Sequence, residues 1–205
     1  MLTFDHLAIG AETLDEGAAT IEAALGVALS PGGEHAAMGT HNRLLSLGPG
    51  EYLEVIAINP AAPAPGRPRW FGLDSFCGPT RPQCWIARSD DMAAALAAAP
   101  QGSGIPVHFT RGAYEWEMAV PDSGILPFDG LFPALISWHS TAHPADALPD
   151  AGVRLKRLVI THPEAAALRA ALDPLIDDPR IAITTGTEPA LAVELQTPNG
   201  PRLLA

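Results

Sequence analysis

Two residues in this chain combine acid–base, metal-ligating and ion-pairing chemistry with strand positions that could bring them together. His6 stands in Phe4-Asp5-His6-Leu7-Ala8-Ile9, and Glu54 follows 48 residues later in Tyr52-Leu53-Glu54-Val55-Ile56. Both segments are short, apolar and rich in branched or aromatic residues, as strands are. Side chains alternate along a strand, so Phe4, His6 and Ala8 are expected on one face of the first, and Tyr52, Glu54 and Ile56 on one face of the second. A carboxylate in so apolar a strand needs a partner, and His6 is a plausible one. Glu54 could also serve as the base that moves a proton.

Other residues could add to such a site. His41 and Asn42 lie on the strand that pairs next to Glu54, and adjacent residues point to opposite faces, so one of the two must point inward and could touch substrate. Trp116 and Trp138, on other strands, read as core or as the wall of a substrate pocket. Arg67, Arg69, Arg81 and Arg88 supply one-third of the 12 positive side chains within 22 residues. They form either a solvated basic loop or an anion-facing lid, and Arg69 is the member assigned to the substrate pocket. His162 reads as a helix-start residue without chemistry, and His35, His108 and His143 as surface residues.

The elements that must position these residues recur. Thr13-Leu14-Asp15-Glu16 has capping-box spacing, Leu14, Ala18, Ile21 and Leu25 share one helical face, and Gly26 ends the helix. Thr40 to Leu47 and Tyr52 to Ile58 flank a Gly-Pro-Gly-Glu turn, which reads as a hairpin. Residues 1–58 are therefore expected to form a β-α-β-β-β unit. Residues 59–83 follow as a crossover with nine Pro or Gly in 25 positions, whose Trp70, Phe71 and Phe76 should pack down on the body. A second unit spans 84–140, with Ser89-Asp90-Asp91 opening its helix and strands over Val107 to Arg111, Tyr114 to Val120 and Leu131 to His139. Tyr114, Trp116, Met118 and Val120 alternate with Glu115, Glu117 and Ala119, the period of a half-buried antiparallel strand. A third, truncated unit over 153–205 opens at Leu155 and has a capping-box spacing at Thr161-His162-Pro163-Glu164. Ile9, Ile86 and Ile160 sit at matching places, 77 and 74 residues apart, which fits duplicated modules rather than a solenoid.

Composition narrows the function classes. The chain has 205 residues, 47% hydrophobic and 17% charged, with a net charge of −11. That field argues against nucleic acid and anionic membranes as partners, and leaves a small molecule. No apolar run approaches a membrane span, and the first strand begins near Met1, so a cytoplasmic location is expected. Cys77 and Cys84 are expected to be reduced thiols.

Asp5-His6-Leu7-Ala8-Ile9-Gly10, taken with Tyr52-Leu53-Glu54-Val55-Ile56, resembles the vicinal oxygen chelate superfamily, the fold of glyoxalase I, the extradiol dioxygenases and the bleomycin-resistance proteins. Gly39-Thr40-His41-Asn42-Arg43-Leu44-Leu45 and Pro65-Gly66-Arg67-Pro68-Arg69-Trp70-Phe71 are similar to a glyoxalase-like subgroup. The resemblance implies an α+β fold of repeated βαβββ modules, whose paired curved mixed sheets form an open cup with helices outside. It implies a divalent metal (Zn, Fe, Mn or Ni) at the base of the cup, with His6 and Glu54 as ligands. The second module offers no clear matching pair, and His139, on a strand with aromatic neighbours, is expected to complete a His6–Glu54–His139 set. In the third unit Arg157 stands near the His6 position and Glu194 repeats that of Glu54. The implied function is a metal-assisted lyase, isomerase or dioxygenase acting on a small oxygenated substrate, with Glu54 as the catalytic residue. The alternative is a metal-free protein that sequesters a small molecule, as the bleomycin-resistance proteins do. Free sheet edges in the third unit admit a homodimer.

Overall fold

The computed structural model describes residues 1–205. Thr3–Gly10 forms β1, and the chain then enters α1 (Leu14–Leu25). Thr13 closes the first turn of α1: its hydroxyl oxygen accepts from the Glu16 amide at 3.4 Å and donates to the Glu16 carboxylate at 2.7 Å. Gly26, at φ 70°, ends the helix in the left-handed conformation. Three strands follow: β2 (Ser30–His35), β3 (Thr40–Gly48) and β4 (Glu51–Ile58). The pattern recurs in β5 (Arg81–Arg88), α2 (Met92–Ala98), β6 (Ile105–Arg111), β7 (Tyr114–Val120) and β8 (Ala134–Trp138). In both units the first and last strands pair in parallel and the middle strands extend the sheet antiparallel. β1 and β5 pair antiparallel, giving one curled eight-stranded sheet in the order β2-β3-β4-β1-β5-β8-β7-β6. This is the α+β cup of βαβββ modules implied by the sequence.

Apolar residues pack on both faces of the sheet. On the convex face Leu7, Ile9, Leu53, Val55 and Leu135 pack against Ala18, Ile21 and Leu25 of α1 and Met92 and Ala95 of α2. On the concave face Ala8, Ile56, Ile86, Trp116 and Ile136 pack with Trp70, Phe71 and Leu73 of the crossover, which turns through a short 3-10 segment at Trp70–Ser75. The aromatic residues thus draw the Pro-rich segment down onto the cup.

One irregularity decides the chemistry. Thr3 and Phe4 pair with Arg88 and Ala87, but it is His6 that pairs with Ile86, so Asp5 is an extra residue on β1. Such a β-bulge breaks the strict alternation of side chains. Phe4 therefore lies in the convex core with Leu7 and Ile9, not on the face of His6 and Ala8 as regular alternation predicts.

The third unit is built differently. A short helix, α3 (Pro144–Ala147), precedes β9 (Arg154–His162), α4 (Ala165–Leu172), β10 (Ile181–Thr185), β11 (Ala190–Thr197) and β12 (Gly200–Leu204). These strands form a separate sheet in the order β10-β9-β11-β12, with β10 rather than the last strand parallel to β9. β9 is flanked on both sides, so it cannot extend the large sheet. Instead Leu155, Leu158, Ile160, Val193 and Leu195 join the convex core. β9 runs on through His162, which removes the expected capping box. The Glu164 amide donates to His162 Nδ1 at 2.9 Å, while His162 Nε2 lies 3.0 Å from Asp129. Cys77 and Cys84 are free thiols, and no helix is long and apolar enough to cross a membrane.

Candidate functional site

The bulge turns Asp5 and His6 into the same polar cluster. His6 Nδ1 lies 2.6 Å from Asp5 Oδ1, and its Nε2 faces Glu54 Oε1 at 3.7 Å, an ion-pair distance too long for a hydrogen bond. The parallel β1–β4 register sets His6 beside Tyr52, and the two rings stack at 4.2 Å with 13° between their planes. The other Glu54 oxygen accepts from Asn42 Nδ2 at 2.7 Å, and Asn42 Oδ1 accepts from the Gly33 amide at 2.9 Å. That second bond needs β2 close over β3. A Cβ on Gly32 would come within 2.2 Å of the Asn42 carbonyl oxygen and of Oδ1, so only glycine fits there.

Asp5 is fully buried, and its second oxygen accepts from Trp138 Nε1 at 3.1 Å and from Arg88 Nη1 at 3.3 Å. His143 Nε2 lies 3.2 Å from the same oxygen; since its Nδ1 accepts from the Ala145 amide, Nε2 is the donor to Asp5. Burial opposes ionisation of Asp5, but the hydrogen bonds from His143 and His6 outweigh it and hold its carboxyl well below the usual carboxylate range. Burial would likewise strip the proton from His6, yet Asp5 and Glu54 on either side raise it to about 9. Burial opposes ionisation of Glu54 too, and the facing His6 brings its carboxyl below the ordinary value. At neutral pH the site therefore holds an imidazolium between two carboxylates.

His6, Asn42, Tyr52 and Glu54 border a narrow chamber of ≈ 30 Å³, room for about two waters. Trp70, Trp116, Trp138 and Met118 wall it. A vestibule of ≈ 750 Å³ opens outside, between Gly32, Gly33, Tyr114 and Pro144. Leu44 and Arg111 line both spaces, which makes them the neck. Arg111 Nη1 donates to His35 Nε2 at 2.9 Å, and His35 Nδ1 lies 3.0 Å from Thr40 Oγ1. Burial lowers His35 to about 4, so its ring is neutral.

Of the residues singled out in the sequence, the chamber gathers His6, Glu54, Asn42, Trp116 and Trp138. His41, adjacent to inward-facing Asn42, points to the other face of β3. Arg69 is spent within the crossover, where its backbone amide and Nη1 bond Asp74 at 2.7 and 2.6 Å. Arg81 bonds the Cys77 and Pro79 carbonyls, and Arg88 bonds Asp5 and the Gly50 carbonyl. His139 follows Trp138 on the opposite side of the strand, 43% exposed and 3.4 Å from Glu117, so it does not join His6 and Glu54. Glu194 is exposed and pairs across strands with exposed Arg157. Asp5, Tyr52 and Arg111 also belong to the site or its support, as do His35 and His143, which Arg111 and Asp5 draw in from the surface expected for them.

A divalent metal does not fit this donor set. No three His, Cys, Asp or Glu side chains converge in a metal-binding group. His6 turns Nδ1 to Asp5 and Nε2 to Glu54, which leaves His6 Nε2 and Glu54 as a pair, one short of a 2-His-1-carboxylate set.

The curled cup of paired modules places the chain in the vicinal oxygen chelate superfamily. Within it the chain belongs to the glyoxalase-like domain family, whose sequence model matches residues 4–176. No curated protein matches the chain. A hypothetical protein from Staphylococcus aureus is similar in structure, with a TM-score of 0.62 and 12% identity over 92% of this chain and 88% of that one. A Streptomyces coelicolor methylmalonyl-CoA epimerase variant in complex with 2-nitronate-propionyl-CoA has a TM-score of 0.45 and 16% identity over 69% of this chain and 100% of its own. The epimerase from Mycobacterium tuberculosis has 0.44 and 17%, over 70% of this chain and 91% of its own. At these identities the likeness concerns the fold.

Proposed function

We propose that the protein is an enzyme that moves a proton on a small oxygenated molecule held in the cup, in an isomerase- or lyase-type reaction that needs no metal. Glu54 is the base and His6 the fixed cation beside it. The observation that carries this reading is the buried Glu54 carboxylate, anchored by Asn42 on one oxygen and facing His6 across 3.7 Å on the other. A carbon acid seated in the chamber over this pair offers its acidic C–H to Glu54 and its carbonyl oxygen to His6 Nε2–H. As the proton leaves carbon, negative charge grows on that oxygen, where a preorganised cationic donor in a dry site stabilises it most. Asp5 supports the reaction from behind by keeping His6 protonated and oriented, much as second partners fix catalytic imidazoles elsewhere. The tryptophan walls exclude water, which raises the strength of each of these interactions. The metal-assisted form implied by the sequence resemblance lacks a third ligand beside His6 and Glu54.

The test uses chelator-treated protein in D2O with a panel of small ketones, 2-oxo acids and their amides, following loss of the α-proton signals by NMR. Wild type should exchange at least one of them, and Glu54→Gln should slow that exchange roughly 10²–10⁴-fold. Absence of exchange across the panel sinks the catalytic reading. Ligand binding that survives without exchange, in both wild type and variant, would favour a sequestering protein, which the same aromatic walls could serve.

A further inference from the structure

We propose that Arg111 and Trp70 form an anion subsite at the neck of the chamber, and that the substrate is a small carboxylic acid whose carboxylate docks there. This deepens the proton-transfer reading and rests on it for the fate of the substrate, though not for its binding. Val107, Phe109 and Arg111 alternate along β6, and Phe109 lies in the concave core, so Arg111 continues that face at the hairpin tip. It borders both the chamber and the vestibule.

Its charge is unspent. Arg43, Arg69, Arg88, Arg154 and Arg180 each face a carboxylate within 4 Å; Arg111 faces none and, unlike the other arginines without such a partner, lines the chamber, in a chain of net charge −11. The polar partner it does have is the neutral imidazole of His35, which orients the guanidinium without neutralising it. Deeper in, the charges already balance in pairs, because His6 lies between Asp5 and Glu54 and Arg88 lies on Asp5. A second unused donor belongs to the same chamber lining. Trp70 lines the chamber, is 3% exposed, and its buried Nε1–H has no acceptor. Buried donors are nearly always paired, so this one calls for a ligand oxygen. A forked guanidinium and an indole N–H suit a planar carboxylate, and a guanidinium binds that group in two parallel hydrogen bonds. The chamber, at ≈ 30 Å³, leaves room for only a few heavy atoms beside His6 and Glu54. The acid is therefore short, with its reacting carbon close to the carboxylate.

The experiment titrates the chelator-treated full chain with 2-oxobutanoate and with its uncharged amide by calorimetry, for wild type, Arg111→Met, Arg111→Lys, Trp70→Phe and Glu54→Gln. Wild type should prefer the acid. Arg111→Met should weaken acid binding about ten- to a hundredfold and leave the amide unchanged, since a hydrogen-bonded charge contributes that much. Arg111→Lys should recover part of the loss, and Trp70→Phe should show a smaller one confined to the acid. Equal affinity for acid and amide, no binding of the acid, or equal weakening of both by Arg111→Met would overturn the subsite. Glu54→Gln keeps the two readings separate. Acid preference without exchange in wild type removes the catalytic reading alone, and exchange of the amide as fast as the acid removes the subsite alone.

Discussion

On β1 to β4 the concave face carries His6, Asn42, Tyr52 and Glu54; on β5 to β8 the same face carries Cys84, Ile86, Met118, Trp116 and Ile136. The two halves share one topology, yet the first half holds the buried charge and the second the apolar wall. The difference shows how a duplicated module can divide its work. An ion pair is strong only where water is kept away, and a rigid aromatic surface opposite keeps it away. Polar groups enter from the second half where they complete the first: Trp138 and Arg88 on Asp5, and Arg111 at the neck.

If that division holds, removing the charge that organises the first half should cost most. Asp5→Asn leaves His6, His143 and Arg88 facing a neutral amide, and should destabilise the fold by about 3–5 kcal/mol in chemical denaturation, as breaking buried pairs does. The pH dependence should come next. His6 rises from 6.5 to about 9 on folding, so its contribution is complete below pH 6.5 and is lost as pH climbs toward 9, on the order of 3 kcal/mol. His35 falls from 6.5 to about 4, so its contribution is present above pH 6.5 and lost as pH drops toward 4. Asp5 and Glu54, both lowered, lose theirs as pH falls below their ordinary values of 3.8 and 4.5. Stability should therefore peak near pH 6.5. His6→Gln should flatten the alkaline limb and His35→Gln the first part of the acid limb. The smallest effect belongs to the apolar half. Ile136→Val should cost about 0.5–1.5 kcal/mol and leave the shape of the pH profile unchanged.

Much of this arrangement is legible in the residues. The capped helix after β1, the alternation along Tyr114 to Val120 and the repeated strand–helix units lead to the cup, because each is a local pattern with a local cause. The pairing of His6 with Glu54 follows from the faces of two strands. Asp5 is harder. Regular alternation would send its carboxylate into the convex core, and only the bulge, a property of the β1–β5 pairing, turns it toward His6. Its partners Trp138 and His143 lie 133 and 138 residues away, beyond any local pattern. Two placements follow from spacing alone. Trp138 and His139 are neighbours on an extended chain, so both could not face the chamber. Arg111 shares its face with Val107 and Phe109 by the same rule, while the more conspicuous arginine cluster of the crossover serves loop structure and the Asp5 network.

The claim on which the account turns is that His6 is a buried cation held between two carboxylates rather than a metal ligand. The direct measurement is the ¹⁵N NMR titration of the His6 imidazole in chelator-treated protein, repeated after addition of zinc. Both ring nitrogens should be protonated at neutral pH, with a midpoint near 9 and resonances that zinc leaves in place. A midpoint at or below 6.5, or a stoichiometric shift of those resonances by the metal, would contradict it.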